Sequence, residues 1–149
     1  EHETNAGRMP ERPFILVGQQ YLADPSRSNG NLHPVWAYAH VPNGFTGDAT
    51  EAMVSQIERF APGFRDRIRG ETAMYPEDFA QYNANYVGGD IVAGANTPRQ
   101  MVFRPRVTLN PYKVTEGIWI CSAATPPGGG VHGMGGANAA RSILRTLGS

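Results

Sequence analysis

The stretch Pro126-Pro127-Gly128-Gly129-Gly130-Val131-His132-Gly133-Met134-Gly135-Gly136 decides how this 149-residue chain is read. It follows the apolar run Ile118-Trp119-Ile120-Cys121 and opens a helix-like stretch that runs on toward the end of the sequence. Gly128, Gly130 and Gly133 satisfy the dinucleotide fingerprint G-x-G-x-x-G literally. That fingerprint begins a strand–helix–strand unit, with an acidic residue about 20 positions downstream that holds a ribose. Here neither a second strand nor such an acid follows before Ser149. The loop is therefore expected to serve as the last element of a site whose first element lies elsewhere.

Upstream, Phe14-Ile15-Leu16-Val17 is a continuous apolar run that suits a buried strand. Asp24-Pro25 and Asn29-Gly30 mark a loop over residues 23–32. Residues 35–41 alternate Val35, Ala37, Ala39 and Val41 with Trp36, Tyr38 and His40, the period of a two-faced strand. A helix is expected from Asp48, with Glu51 completing a capping-box-like pair. Met53, Ile57, Phe60 and Ala61 form its apolar stripe, and Pro62-Gly63 stops it. Residues 67–75 alternate like a half-exposed strand, and residues 76–82 suit a short helix with Pro76 in its first turn. Residues 86–106 read as Gly-rich and irregular, and residues 118–122 as the last strand. Val131, Met134, Ala137, Ala140, Leu144 and Leu147 then fall in an apolar line at helical spacing. Strands and helices mixed without strict alternation predict an α+β fold, with a mixed or antiparallel sheet and flanking helices.

Composition narrows the function classes. With 13 basic and 13 acidic residues, the formal net charge is zero, which argues against a nucleic-acid binder. At 40% hydrophobic and 17% charged residues the chain reads as globular. A folded chain of this length buries roughly 70% of its unfolded surface. No apolar run approaches the roughly 20 residues that span a bilayer, and the start, Glu1-His2-Glu3-Thr4-Asn5, is not a signal peptide. A lone Cys121 excludes an internal disulfide and points to a reducing, cytoplasmic setting, at most peripheral to a membrane.

The segment from Trp119 through Cys121-Ser122-Ala123-Ala124-Thr125 and the glycine loop to Met134, followed by Asn138-Ala139-Ala140, resembles the C-terminal end of phytoene dehydrogenase-like FAD-dependent oxidoreductases. These stand within the amine-oxidase-like flavoproteins. His40-Val41-Pro42, Phe60-Ala61-Pro62-Gly63-Phe64, Pro76-Glu77-Asp78-Phe79, Gly88-Gly89-Asp90-Ile91 and Arg104-Pro105 occur in the order that the resemblance leads one to expect. It covers residues 12–147, and the terminal glycine motif is its most specific part.

The resemblance implies a chain in three parts. Residues 1–12 are a flexible lead-in, residues 13–116 part of a substrate-binding domain, and residues 117–149 the strand and helix that return to a split FAD-binding domain. It further implies an N-terminal FAD-binding region as the partner that completes the site, and an apolar small-molecule substrate. An isolated fragment of this kind would hold FAD weakly or not at all, and would self-associate through a strand edge and the apolar line. The cofactor contacts that the resemblance places here are Ala124, Thr125, Gly129, Gly130, Val131, His132 and Met134. Physical chemistry is consistent with that placement: glycines let a ligand approach the backbone, and the first amides of a helix favour an anionic edge. A reduced flavin carries negative charge at its N1–C2=O edge, which such amides would stabilise.

Plainer readings stand beside these. The glycine loop also suits a tight strand-to-helix turn, and His132 a neutral loop residue that contributes only its backbone. Trp36 and Tyr38 suit either an apolar substrate wall or ordinary packing, and His40 suits a packed or surface residue. Cys121 reads as a buried small hydrophobe, Arg104 and Arg106 as a solvated loop, and Asp48 and Glu51 as capping groups. His2 and His33 show no metal spacing. No catalytic acid, base or nucleophile is identified. The alternative to an oxidoreductase segment is a free-standing binding or oligomerisation module that keeps the fold without the chemistry.

Overall fold

The computed structural model describes residues 1–95 and 97–148, and the side chain of Met101 is not among what it describes. Asn96, in the stretch expected to be irregular, and Ser149, at the end of the expected returning segment, lie outside the described residues. The fold is α+β with small antiparallel sheets. The chain divides into two compact units, Glu1–Gly89 and Asp90–Ser149.

In the first unit, helix α1 (His2–Asn5) is a single turn within the expected lead-in. Strand β1 (Ile15–Gly18) pairs antiparallel with β2 (Trp36–Ala39), with Ile15 opposite Ala39 and Gly18 opposite Trp36. Both strands were legible, but β1 is not a buried strand: Leu16 and Val17 are 41% and 44% exposed. A run apolar on both faces suits a strand inside a wider sheet, whereas this sheet has two strands.

Helix α2 (Thr50–Phe60) begins two residues later than expected. Asp48 accepts the Thr50 amide at 2.7 Å and the Tyr75 hydroxyl at 2.9 Å. Glu51 closes no capping box. Its carboxylate takes both arms of the Arg65 guanidinium, at 2.9 and 2.6 Å, because a bidentate charged partner outcompetes a backbone amide. Glu58 accepts the amides of Gly63 and Arg65 at 2.6 and 2.8 Å, tying the chain back after the Pro62-Gly63 stop. Of the expected stripe, Met53 and Ile57 are half-buried, while Phe60 and Ala61 are exposed.

Residues 68–75 form no strand and pair with nothing regular among the described residues. Alternation alone lacks a neighbouring strand to complete its ladder. Helix α3 (Pro76–Tyr82) forms as expected, with Pro76 in its first turn and the Asp78 carboxylate accepting the Tyr75 amide at 2.7 Å. It packs against the turn Val87–Gly89. That turn also binds the segment after β2: Gly44 N–H donates to Gly88 O at 2.9 Å, and the Asn43 amide donates to Val87 O at 3.0 Å.

In the second unit, helix α4 (Pro98–Phe103), capped by the Thr97 hydroxyl on the Gln100 amide at 3.2 Å, interrupts the stretch read as irregular. Strand β3 (Lys113–Thr115) pairs antiparallel with β4 (Ile118–Trp119). The last strand is therefore shorter than residues 118–122, and the functional division expected at 116/117 falls inside this hairpin. Helix α5 (Met134–Leu147) lies against β3. Its buried side is Ala139, flanked by half-buried Gly135, Asn138, Ser142, Ile143 and Thr146. The apolar line read from the sequence faces outward, the exposure expected of an isolated segment: Leu144 and Leu147 are 69% and 75% exposed. A small-residue face lets a helix approach a backbone closely, so it, and not the line of larger residues, meets the rest of the unit.

Two outcomes follow from the first unit. Gly89 has φ +80°, and a side-chain carbon there would lie 2.3 Å from Pro76 Cα, a backbone atom. Gly89→Ala is expected to destabilise the chain by about 2–4 kcal/mol. Gly70→Ala, where nothing stands within 4 Å, should change stability by less than about 0.5 kcal/mol. Urea unfolding of both variants measures the contrast. The second outcome concerns pH. The Thr50 amide holds the Asp48 carboxyl below its ordinary 3.8, the Arg65 guanidinium holds Glu51 below 4.5, and the Arg65 and Gly63 amides do the same for Glu58. Folded values below unfolded ones mean that this stabilisation is complete above the ordinary values and lost as the pH falls through the lowered ones. Circular dichroism from pH 7 downward should show helix loss setting in below those ordinary values, with a shallower dependence in Arg65→Met, which removes the guanidinium from Glu51 and its charge from beside Glu58.

Candidate functional site

The glycine loop is built from the hairpin outward. After β4, Ile120 N–H donates to Tyr112 O at 2.8 Å, and the chain then leaves the ladder. Cys121, free of the sheet, is exposed and not a buried hydrophobe. Ser122 organises the next turn. Its carbonyl accepts the Thr125 amide at 2.9 Å and the Thr125 hydroxyl at 2.7 Å, and its hydroxyl accepts the Ala124 amide at 3.0 Å. Such short side-chain-to-backbone bonds are what Ser and Thr contribute to turns.

Thr125 is completely buried, with its amide and carbonyl both bonded inside the turn, so it supports the loop from within. Its carbonyl accepts the Gly128 amide at 2.8 Å across Pro126-Pro127, and the Tyr112 hydroxyl donates to Pro126 O at 2.9 Å. Ala124 is half-buried beside it. Gly128 is buried at φ +105°, and a side-chain carbon on it would fall 2.5 Å from Arg104 Nη2. Arg104 is 7% exposed, so the solvated-loop reading fails for it, although Arg106 is exposed and donates to Lys113 O at 2.7 Å.

Gly129 and Gly130 are exposed, and the side chain of Val131 stands fully in solvent. The chain then folds back. A carbon on Gly130 would meet the His132 ring at 2.7 Å, and His132 Nδ1 accepts the Met134 amide at 3.0 Å. The imidazole therefore bonds the first residue of α5, rather than lending only its backbone. Spacing could have hinted at this, since His132 stands two residues before the first helical position. The cap takes the first amide of α5, leaving Gly135 and Gly136 as the next donors with no helical carbonyl four residues back. Met134 keeps a partly exposed side chain at the rim.

Gly135 seats the helix on the turn: a carbon placed there would lie 3.4 Å from Thr125 Oγ1 and 3.5 Å from Ser122 O. Ala124, Gly129, Gly130, Val131, His132 and Met134 thus follow one another along a strand end, loop and helix start, with Thr125 buried beneath them. Sequence reading gave no supporting role to Ser122 or Tyr112, and took Arg104 for a solvated residue.

In the other unit, Trp36, Tyr38 and His40 share one face with Phe14. Their rings follow one another at 5.1, 5.6 and 5.7 Å. Trp36 and Phe14 are 52% and 56% exposed, so this is a surface and not a packed core. His40 also contacts the Glu1 carboxylate. A depression of about 240 Å³ is lined by Arg106, Thr108, Asn110, Lys113 and Glu116, and holds none of the expected contacts. Among the described residues, no cluster of three His, Cys, Asp or Glu side chains could hold a metal, and no helix is long and apolar enough to cross a membrane.

No family model and no solved structure matches the chain. It is 36% identical to the rat (Rattus norvegicus) protein named pyridine nucleotide-disulfide oxidoreductase domain-containing protein 2, and 34% identical to the mouse (Mus musculus) protein of the same name. Each alignment takes in 97% of this chain and 27% of the relative. The chain is thus homologous, over nearly all its described length, to about a quarter of proteins named for an oxidoreductase domain.

Proposed function

We propose that this chain is the segment of a phytoene dehydrogenase-like, FAD-dependent oxidoreductase that returns to the flavin-binding part of the fold, and that the whole protein dehydrogenates an apolar substrate. The observation that carries the reading is the join between the loop and α5. Two side-chain-free exposed positions, Gly129 and Gly130, run directly into a helix start whose Gly135 and Gly136 amides have no helical acceptor. That donor set fits one anionic edge of a flavin. Bound FAD would supply the acceptor for the hydride.

The residues of this chain have narrower tasks. Gly129 and Gly130 let the cofactor reach the backbone, and the helix start offers partial positive charge. Val131 and Met134 give the rim apolar surface. Ala124 contributes backbone, Thr125 supports the loop from within, and His132 holds the helix start in place. The aromatic face of Phe14, Trp36, Tyr38 and His40 suits the wall of an apolar substrate site. The homology to oxidoreductase-domain proteins supports the reading, and so does the exposed line of α5, which a flavin-binding region would cover. Without that cover, the same line favours self-association of the isolated chain.

Titration of the isolated chain with FAD tests how much of the site it holds. One loop and one helix start engage only one edge of the cofactor, so no saturable binding is expected in the micromolar range. Stoichiometric micromolar binding would show that the site is complete here and that the placement is wrong.

A pair of substitutions in the full-length protein tests the loop itself. Gly130→Val should strip most of the flavin, because a branched side chain collides with His132 and fills the approach to the amides. His132→Ala removes the cap, costs about 1 kcal/mol of helix stability, and should lower flavin content less. Flavin absorbance after purification ranks the two. Full flavin content in Gly130→Val removes the loop from the cofactor site and leaves the free-standing module as the reading.

A further inference from the structure

Three stretches far apart in the sequence meet around one side chain in the second unit. Asp90 closes the turn at residues 90–94: its Oδ1 accepts the Val92 amide at 2.9 Å and its Oδ2 the Gly94 amide at 2.5 Å. Arg104 follows α4, with its own amide donating to Gln100 O at 3.0 Å. Its guanidinium lies between that turn and the glycine loop. A side-chain carbon on Gly94 would stand 4.0 Å from Nη1, and one on Gly128 would stand 2.5 Å from Nη2. Gly94 and Gly128 both have positive φ, +119° and +105°. The guanidinium therefore reaches the Gly128 backbone through space that is open because this residue has no side chain. An arginine is rarely this buried unless the fold holds it there, and its planar, rigid fork can keep two backbones at a fixed separation.

We infer that Arg104 is the positioning residue of the glycine loop: it couples the turn at 90–94 to the loop at 126–133, and so fixes where the loop presents the start of α5. Asp90 shapes one end, Arg104 spans the gap, and Gly128 receives the other end. The purpose of this coupling rests on the flavin reading of the loop, but its test does not involve flavin, so the two can fail separately.

Amide hydrogen exchange of the chain as it stands, resolved by residue, reads the coupling directly. Arg104→Met should speed exchange at Gly94 and Gly128 by about tenfold relative to Ile120, whose amide is held by Tyr112 in the same unit. Arg104→Lys keeps the charge without the fork and should restore protection only partly. Gly128→Ala leaves Arg104 in place but displaces its guanidinium, and should also speed exchange at the distant Gly94. That effect should vanish when Gly128→Ala is added to Arg104→Met. If Arg104→Met does not fold, the Lys and Gly128→Ala variants carry the test alone. Unchanged exchange at Gly94 in Gly128→Ala overturns the coupling. So does an equal change at Ile120 in every variant, which would mark general loosening. Full protection in Arg104→Lys overturns the role of the planar fork.

Discussion

The seat of α5 on the Ser122–Thr125 turn is the contact on which the glycine loop depends. It works because the residue at the point of closest approach, Gly135, has no side chain, and because the polar group beneath it is already satisfied. The Thr125 hydroxyl is wholly buried and donates to Ser122 O at 2.7 Å. An unpaired hydroxyl in that place would cost about 1–3 kcal/mol. With the turn closed and the helix seated, the ten or so residues between them have little freedom left. They must reverse direction over a short span, which explains the run of glycines and prolines without any ligand. The same compression leaves Gly129 and Gly130 at the surface beside a helix start. Structural necessity and ligand access thus arise from one geometry.

The chain has a thin interior. Among the described residues, the buried hydrophobic ones are Ala49 and Ala139, while large side chains such as Leu22, Phe60, Leu109 and Leu147 stand in solvent. Scattered exposed apolar residues are ordinary. A whole helix line facing outward, together with an aromatic face on a two-stranded sheet, is less so. The chain spans about a quarter of the length of the curated relatives it matches. A segment cut from a larger hydrophobic core would show this pattern, with patterning suited to wide sheets and covered helices but little within reach to cover them. Local hydrogen bonds and ion pairs take over much of the work: the Arg65 fork on Glu51, the Glu58 bonds to two amides, and the Asp90 turn.

Where sequence reading went astray, the cause was usually a missing partner or an unseen one. Residues 67–75 alternate correctly for a strand, yet a strand needs a ladder, and none stands beside them. The α5 periodicity was legible, and the row that meets the rest of its unit, through Gly135, Asn138, Ala139 and Ser142, carries no large apolar residue to announce it. Glu51 stands at capping-box spacing from Asp48, and Arg65 claims it. Asp48 behaves as read, bonding the amide of Thr50, although the helix begins beyond it. The hairpin of β3 and β4 carried a faint signal in Thr115-Glu116-Gly117-Ile118, a glycine turn between β-forming residues. Its strands are too short to rise above their surroundings.

The sequence by itself determined the α+β class, the pairing-competent strands around Leu16 and Tyr38, the two principal helices with the stop of α2, and the glycine loop with its run into α5. These follow from local properties: period, glycine and proline placement, and β-branching. Only the tertiary structure decided that Arg104 is buried against Gly128, that the His132 ring bonds the start of α5, that the Tyr112 hydroxyl reaches Pro126, and that Ala139 is the buried side of α5. Each depends on which distant residue fills a given space. Composition and period describe what a segment prefers; they do not say which neighbour arrives to satisfy it.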